Sequence, residues 1–191
     1  MVVVEWFSLE GLRSVEPRRE ASAPVDRRLT FERLTQDRLD RAYRLAAAIL
    51  RDPGEAEDAV QDAAEQAWDG WDRLRDVSRF DAWFDRILVN RCRDRLRKRV
   101  RATVLEDSLG FPVLESGMES AERVAIGEAV STLGPDHRIV VILRFAEDLS
   151  IGEIAARTGQ REGTVKSRLH YALRQLRAAY DAAGRPAGGS R

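Results

Sequence analysis

Thr164, Lys166, Ser167, Arg168, His170, Tyr171 and Arg174, with Arg161 just ahead of them, are residues whose types and spacing point to chemistry. Arginine and lysine reach guanine edges in the major groove, while hydroxyl and amide groups hold phosphates, so this set suits a grip on duplex DNA. Val165, Leu169, Leu173 and Leu176 run through it at spacings of four, four and three, which reads as one buried helical stripe. The polar set then faces outward. Upstream, Ser150 followed by Glu153 forms a capping-box pattern that starts a helix at Ile151. Ile154 and Ala155 face inward from it, and Gly159 supplies the positive φ of a helix-ending turn. The chain resumes as a helix near residues 161–163. The pair reads as a helix-turn-helix whose second helix enters the groove by its N-terminal half. A helical hairpin with a solvated basic face would share the charge. Capping box, turn glycine and basic second helix in register favour DNA.

A second set lies upstream. Phe80, Trp83 and Phe84 crowd the start of a helix whose outward face carries Arg86, Asn90, Arg91, Arg93 and Asp94. Aromatic rings beside basic and amide groups can stack on unpaired bases while holding their backbone, at about 1–3 kcal/mol per stacked base. Core packing explains Trp83 at least as well. Asn90 is poorly explained by helix propensity, and its amide can pair with adenine edges.

The chain has no net charge, yet its charges are segregated. Residues 51–72 carry −7, residues 73–101 carry +7, residues 102–136 carry −6 and residues 137–180 carry +4. Two basic blocks imply two separate contacts with a polyanion. The acidic blocks imply a basic protein surface, or a means of staying off DNA.

These sets need elements to hold them. Residues 35–50 form a helix through Leu39, Tyr43, Ala46, Ala47, Ile49 and Leu50, ended by Asp52-Pro53-Gly54. A second, over residues 55–71, turns Ala56, Ala59, Val60, Ala63, Ala67 and Trp71 inward and presents Glu57, Asp58, Gln61, Asp62 and Glu65. A third spans residues 79–101, with Trp83, Ile87, Leu88 and Leu96 as core candidates. Helices over residues 119–133 and 136–147 precede the helix-turn-helix. No period-two pattern persists, so the expected fold is all-α: two small helical domains joined by a flexible acidic linker. The expected division is a mobile leader over 1–34, a first domain over 35–101, a linker over 102–119, a second domain over 120–180 and a disordered tail over 181–191.

Other classes recede. With Cys92 alone there is no disulfide framework and no cysteine-based zinc site, and Cys92 reads as a buried helix residue in a reducing cytoplasm. No run approaches the roughly 18 apolar residues of a membrane span, and the opening residues lack the basic start of a signal peptide. His137 and His170 lie far apart, with no nucleophile motif, phosphate-binding loop or metal-ligand spacing beside them. His137 reads as a helix-start residue. Binding is expected rather than catalysis, with no cofactor and no metal.

The stretches EAEDAVQDAAEQAW, FDAWFDRILVNRCRDRLRKR, LSIGEIAARTG and GTVKSRLHYALRQLR, in this order and spacing, resemble the extracytoplasmic-function group of bacterial sigma factors, promoter-specificity subunits of RNA polymerase. The resemblance covers residues 36–180. It implies that the first domain binds the clamp region of the polymerase's largest subunit through Asp58, Gln61, Asp62 and Glu65. It places Phe80, Trp83, Arg86, Asn90, Arg93 and Asp94 at the −10 element, where the bubble opens. It places Arg161, Thr164, Lys166, Ser167, Arg168, His170, Tyr171 and Arg174 at the −35 element, with the flap as a second polymerase contact. An anti-sigma factor is a common further partner. Ala64 stands where the group usually has a bulky apolar residue, and Arg161-Glu162 where many members have proline. The alternative is a stand-alone helix-turn-helix regulator, which would bind DNA without polymerase. The charge alternation further implies that acidic blocks fold back on basic ones until polymerase separates the domains.

Overall fold

A computed structural model describes residues 24–105 and 121–183. The expected linker falls largely, and the leader's first part and the tail's end entirely, outside the described residues. Within them the fold is all-α, with eight helices and two short 3-10 turns, Trp71–Arg73 and Val77–Arg79. The helices are α1 (Pro24–Gln36), α2 (Leu39–Leu50), α3 (Pro53–Gly70), α4 (Phe80–Leu105), α5 (Ala121–Ser131), α6 (Pro135–Phe145), α7 (Ile151–Thr158) and α8 (Glu162–Ala183).

The leader expectation needs correction for residues 24–34, which belong to α1. Phe31 is buried and meets Trp68, Trp71 and Phe80 edge-on at centroid distances of 5.2, 5.4 and 6.0 Å. Offset and edge-to-face ring pairs add to the area each ring buries. The Trp71 indole N–H donates to the Arg27 carbonyl at 3.2 Å, and the Arg27 guanidinium returns a bond to the Trp71 carbonyl at 2.8 Å. Aromatic partners some forty residues away hold this helix, so its own short pattern does not announce it.

Asp52-Pro53-Gly54 both ends α2 and starts α3. Arg51 takes a left-handed conformation, φ 55°, to close α2. The Asp52 carboxylate then accepts from the Glu55 amide at 2.8 Å as the N-cap, and Pro53 occupies the first turn, where its missing N–H is no loss. The buried face of α3 is almost all alanine: Ala56, Ala59, Ala63, Ala64 and Ala67, with Val60. Small residues let α2 and α4 approach closely, and Ala64 fills its place in that surface. From α4, Phe80, Phe84, Leu88, Val89, Cys92 and Leu96 enter the core.

In the second half, Ser150 and Glu153 form the capping box, and Gly159 ends α7 at φ 67°. The expected stripe on α8 shifts by one residue. Val165, Leu169 and Ala172 are buried, Leu176 is partly buried, and Leu173 is 44% exposed. At 100° per residue, position 172 returns to the face of Val165 whereas 173 has rotated 80° past it.

The two helical domains share one continuous buried cluster. α4 lies against α6 and α7, and α2 against α6. Buried Arg138 of α6 crosses this boundary, donating to the carbonyls of Ile49, Ser131 and Leu133. Burial pushes its guanidinium down to about 10, and Arg99 and Arg51 push the same way. It stays a cation at neutral pH and closes helix C-termini whose last carbonyls have no intrahelical donor.

Two outcomes test this core. Phe31→Ala should cost about 3–5 kcal/mol in a urea titration; an unchanged midpoint would make α1 dispensable. Burial pushes the Cys92 thiol up to about 12. The native chain at pH 8 should therefore resist a thiol reagent until urea unfolds it. Because the folded value lies above the unfolded one, of about 8.5, the associated stability is full below that value and lost as pH rises toward 12.

Candidate nucleic-acid and polymerase interfaces

The exposed side of α8 opposes Val165, Leu169 and Ala172. Arg161, Thr164, Lys166, Ser167, His170, Tyr171 and Arg174 are all exposed there. Lys166, His170 and Arg174 stand four apart in one row, and Ser167 and Tyr171 in the next. The Ser167 hydroxyl donates to the Thr164 carbonyl at 3.2 Å, and the His170 and Tyr171 rings meet edge-on at 5.7 Å. Arg168 differs. It turns into the body of the protein and pairs with Asp136 at 3.1 Å.

On α4, Trp83, Arg86, Asn90 and Asp94 line one cleft of about 260 Å³, together with Ile87, Arg91 and Gln66. Asn90 Oδ1 accepts from the Arg93 guanidinium at 2.6 Å. Trp83 is half-buried, its ring tilted against Phe80 at 6.0 Å and lying over Gly70. Gly70 leaves the space that a side chain would take from the indole. The expectation for Phe80 is corrected: it is 1% exposed, packed among Phe31, Trp71 and Phe84, and has no face to offer a base. Its register on α4 points to the α1–α3 side, whereas Trp83 and Arg86 turn to the cleft. Gln66 was not anticipated, because only the packing of α3 on α4 brings it there.

The outward face of α3 is acidic, with Glu57, Asp58, Gln61 and Glu65 exposed. Gln61 donates to Glu65 at 3.1 Å. Asp62 is half-buried and held by Arg95 at 2.7 Å, with Asp58 at 3.8 Å from the same guanidinium. The acidic block thus spends part of its charge on the basic end of α4 and keeps Glu57 and Glu65 outward.

Ion pairs also join the two domains. The buried Asp85 carboxylate lies 2.7 Å from Arg38 and 2.8 Å from Arg157, both largely buried. Arg41 meets Glu147 at 2.9 Å. Asp136, in the first turn of α6, meets Arg93 at 2.9 Å, Arg97 at 3.2 Å and Arg168 at 3.1 Å. The Arg86 guanidinium lies directly over Gly159, so a Cβ there would stand 2.9 Å from it. Sequence reasoning passed over Asp85 and Asp136. Asp85 carried a signal, since it shares the core register of Val89, Cys92 and Leu96 at spacings of four, three and four. Asp136 carried none beyond following a helix-starting proline.

An all-α chain with a capped helix-turn-helix and a second, aromatic-lined helix face defines a two-domain nucleic-acid-binding protein. Residues 34–102 match the family Sigma-70 region 2, and residues 123–176 match Sigma-70, region 4. The chain is 34% identical over 150 residues to RNA polymerase sigma-E factor of Streptomyces antibioticus, covering 78% of this chain and 83% of that protein. It is 35% identical over 141 residues to ECF RNA polymerase sigma factor SigL of Mycobacterium tuberculosis, covering 71% and 80%. Among solved structures it is similar to the sigma factor RpoE in complex with the anti-sigma factor NepR from Bartonella quintana, at a TM-score of 0.63 and 27% identity, covering 79% and 96%. It is also similar to CnrH in complex with the cytosolic domain of CnrY, at 0.57 and 26%, covering 82% and 97%. The chain belongs to the RNA polymerase sigma factors, in their extracytoplasmic-function group, and is not a stand-alone regulator. Among the described residues no helix is long and apolar enough to cross a membrane.

Gly159→Ala tests the turn. A Cβ at positive φ costs about 1–2 kcal/mol, and here it also displaces Arg86, so the urea midpoint should fall; an unchanged midpoint would contradict this packing.

Proposed function

We propose that this chain steers core RNA polymerase to its promoters by gripping DNA at two places while α3 docks on the enzyme. α8 reads duplex DNA at the −35 element, with Lys166, Ser167, His170, Tyr171 and Arg174 toward the groove and Arg161 and Thr164 at its entry. Arg168 joins them when released from Asp136. The cleft on α4 receives an unpaired base of the −10 element. Trp83 offers a ring edge, and Asn90 and Asp94 offer hydrogen-bonding groups. Arg86 holds the adjoining backbone, and Arg93, outside the cleft, joins it when released from Asp136. The outward carboxylates of α3, with Asp58, Gln61, Asp62 and Glu65 at their centre, meet a basic surface on the polymerase clamp, and the second domain meets the flap. The chain itself catalyses nothing; it acts in the cytoplasm, where polymerase is found. An anti-sigma factor as a further partner is supported by the similarity to RpoE, seen with NepR.

The observation that carries this reading is the cleft, because an indole, an amide and a guanidinium converge on one pocket of nucleobase scale beside a basic helix. Run-off transcription with core polymerase on a promoter library checks it, and a folded chain yielding no transcript would overturn it. Lys166→Ala should weaken promoter binding by about 1–3 kcal/mol while leaving capture of core polymerase unchanged. Glu65→Arg should do the opposite. Loss of the same step in both variants, in a polymerase pull-down and a promoter assay, would show that the surfaces are not separate.

A further inference from the structure

The chain has two histidines, His137 and His170, and they stand in different surroundings. His137 of α6 is half-buried, with its Nδ1 3.2 Å from the side-chain oxygen of Gln175. His170 is exposed on α8, and beyond its edge-on contact with the Tyr171 ring it has no hydrogen bond or ion pair among the described residues. Lys166 stands four residues before it and Arg174 four residues after, so the imidazole is the middle of a row whose outer members are permanent cations. Among the described residues, neither cation meets a carboxylate.

The acids nearby are turned elsewhere. Glu162 begins the same row two turns away, about 12 Å along the axis, with its carboxylate against Gly152 of α7. Of the helices packed on α8, α6 turns Asp136 to Arg168 and His137 to Gln175, and α7 turns Glu153 to Ser150 and Arg157 to Asp85. Glu128 of α5 makes no ion pair with the row. A neutral imidazole offers one N–H donor and one acceptor, whereas the imidazolium offers two donors and a charge. A DNA groove presents acceptors to it: phosphate oxygens along the edge, and the O6 and N7 of guanine within. The duplex therefore favours the charged ring, and histidine is the side chain that ordinarily changes charge across the neutral range.

We propose that His170 links promoter binding to the uptake of one proton, the ring becoming the third cation of its row when α8 enters the groove. This rests on the reading of α8 as the −35 contact. Because the complex holds the extra proton, affinity rises as pH falls, and the gain is lost as pH rises.

The test uses the full chain with core polymerase and a labelled promoter duplex recovered from the run-off library, at fixed ionic strength. From about pH 8 to about pH 6 the parent should tighten about five- to tenfold relative to His170→Gln, which keeps a hydrogen-bonding side chain but cannot take the charge. His170→Lys should bind throughout as the parent does at the acid end. His137→Gln should keep the parent's response. Salt separates the two kinds of acceptor: a phosphate contact makes the parent's log–log slope steeper by roughly 0.9 at the acid end, whereas an unchanged slope with the pH response intact assigns the proton to a guanine edge. Equal pH responses in the parent and His170→Gln would overturn the proposal. So would loss of the response in His137→Gln, or a His170→Lys holoenzyme as pH-sensitive as the parent. Lys166→Ala keeps this inference distinct from the reading beneath it. If that variant binds the duplex as tightly as the parent, α8 is not the contact and both fall; if it binds more weakly while the parent and His170→Gln respond alike, only the proton link falls.

Discussion

Everything in this fold is arranged around a charge that cannot be left alone. Asp85 occupies the core register of α4, 3% exposed, in line with Val89, Cys92 and Leu96. An isolated carboxylate in that place would lose several kcal/mol of hydration, and it persists there because Arg38 and Arg157 both reach its Oδ2. Arg38, itself 6% exposed, also reaches Asp81 at 2.7 Å. Arg38 comes from the junction of α1 and α2, and Arg157 from the last turn of α7. A single carboxylate therefore fixes where the N-terminal helices, the long basic helix and the helix-turn-helix meet. Such a triad adds little net stability over an apolar core, but removing one partner would strand a buried charge.

The same electrostatic logic continues outward with decreasing burial. Arg95 holds Asp62, Arg99 holds Glu55, and Asp136 holds three arginines. A chain with no net charge thereby pairs Arg93, Arg95, Arg97 and Arg99 of its basic long helix internally. Among the described residues, exposed carboxylates line the open face of α3 and exposed cations the open face of α8. The zero total conceals two open faces of opposite sign.

The boundary between the domains is thus built differently from their interiors. Within the first half alanines and aromatic rings pack tightly, and within the second leucine, isoleucine and valine side chains do. Across the boundary, Arg138, Arg157, Arg41 and Asp136 carry much of the contact, beside a continuous apolar cluster. A boundary rich in guanidinium–carboxylate and guanidinium–carbonyl pairs is one that a polyanion or a charged partner surface can compete for.

The local devices were legible in the sequence because each depends on residues within a turn or two of one another. The Ser150–Glu153 capping box, the Gly159 turn, the outward row of Lys166, Ser167, His170 and Tyr171, the acidic face of α3 and buried Cys92 all follow from spacing, helix period and side-chain type. The tertiary structure decided what depends on distant partners. It turned part of the expected leader into α1, because Phe31 finds Trp68, Trp71 and Phe80. It took Phe80 out of the binding set, exchanged Leu173 for Ala172 in the core, and brought Gln66 into the cleft. The pairs that join the domains span 39 residues for Arg97 and Asp136, 72 for Asp85 and Arg157, and 106 for Arg41 and Glu147. Helical periodicity assigns a residue to a face of its own helix, but which distant charge awaits it there is set only when the helices pack.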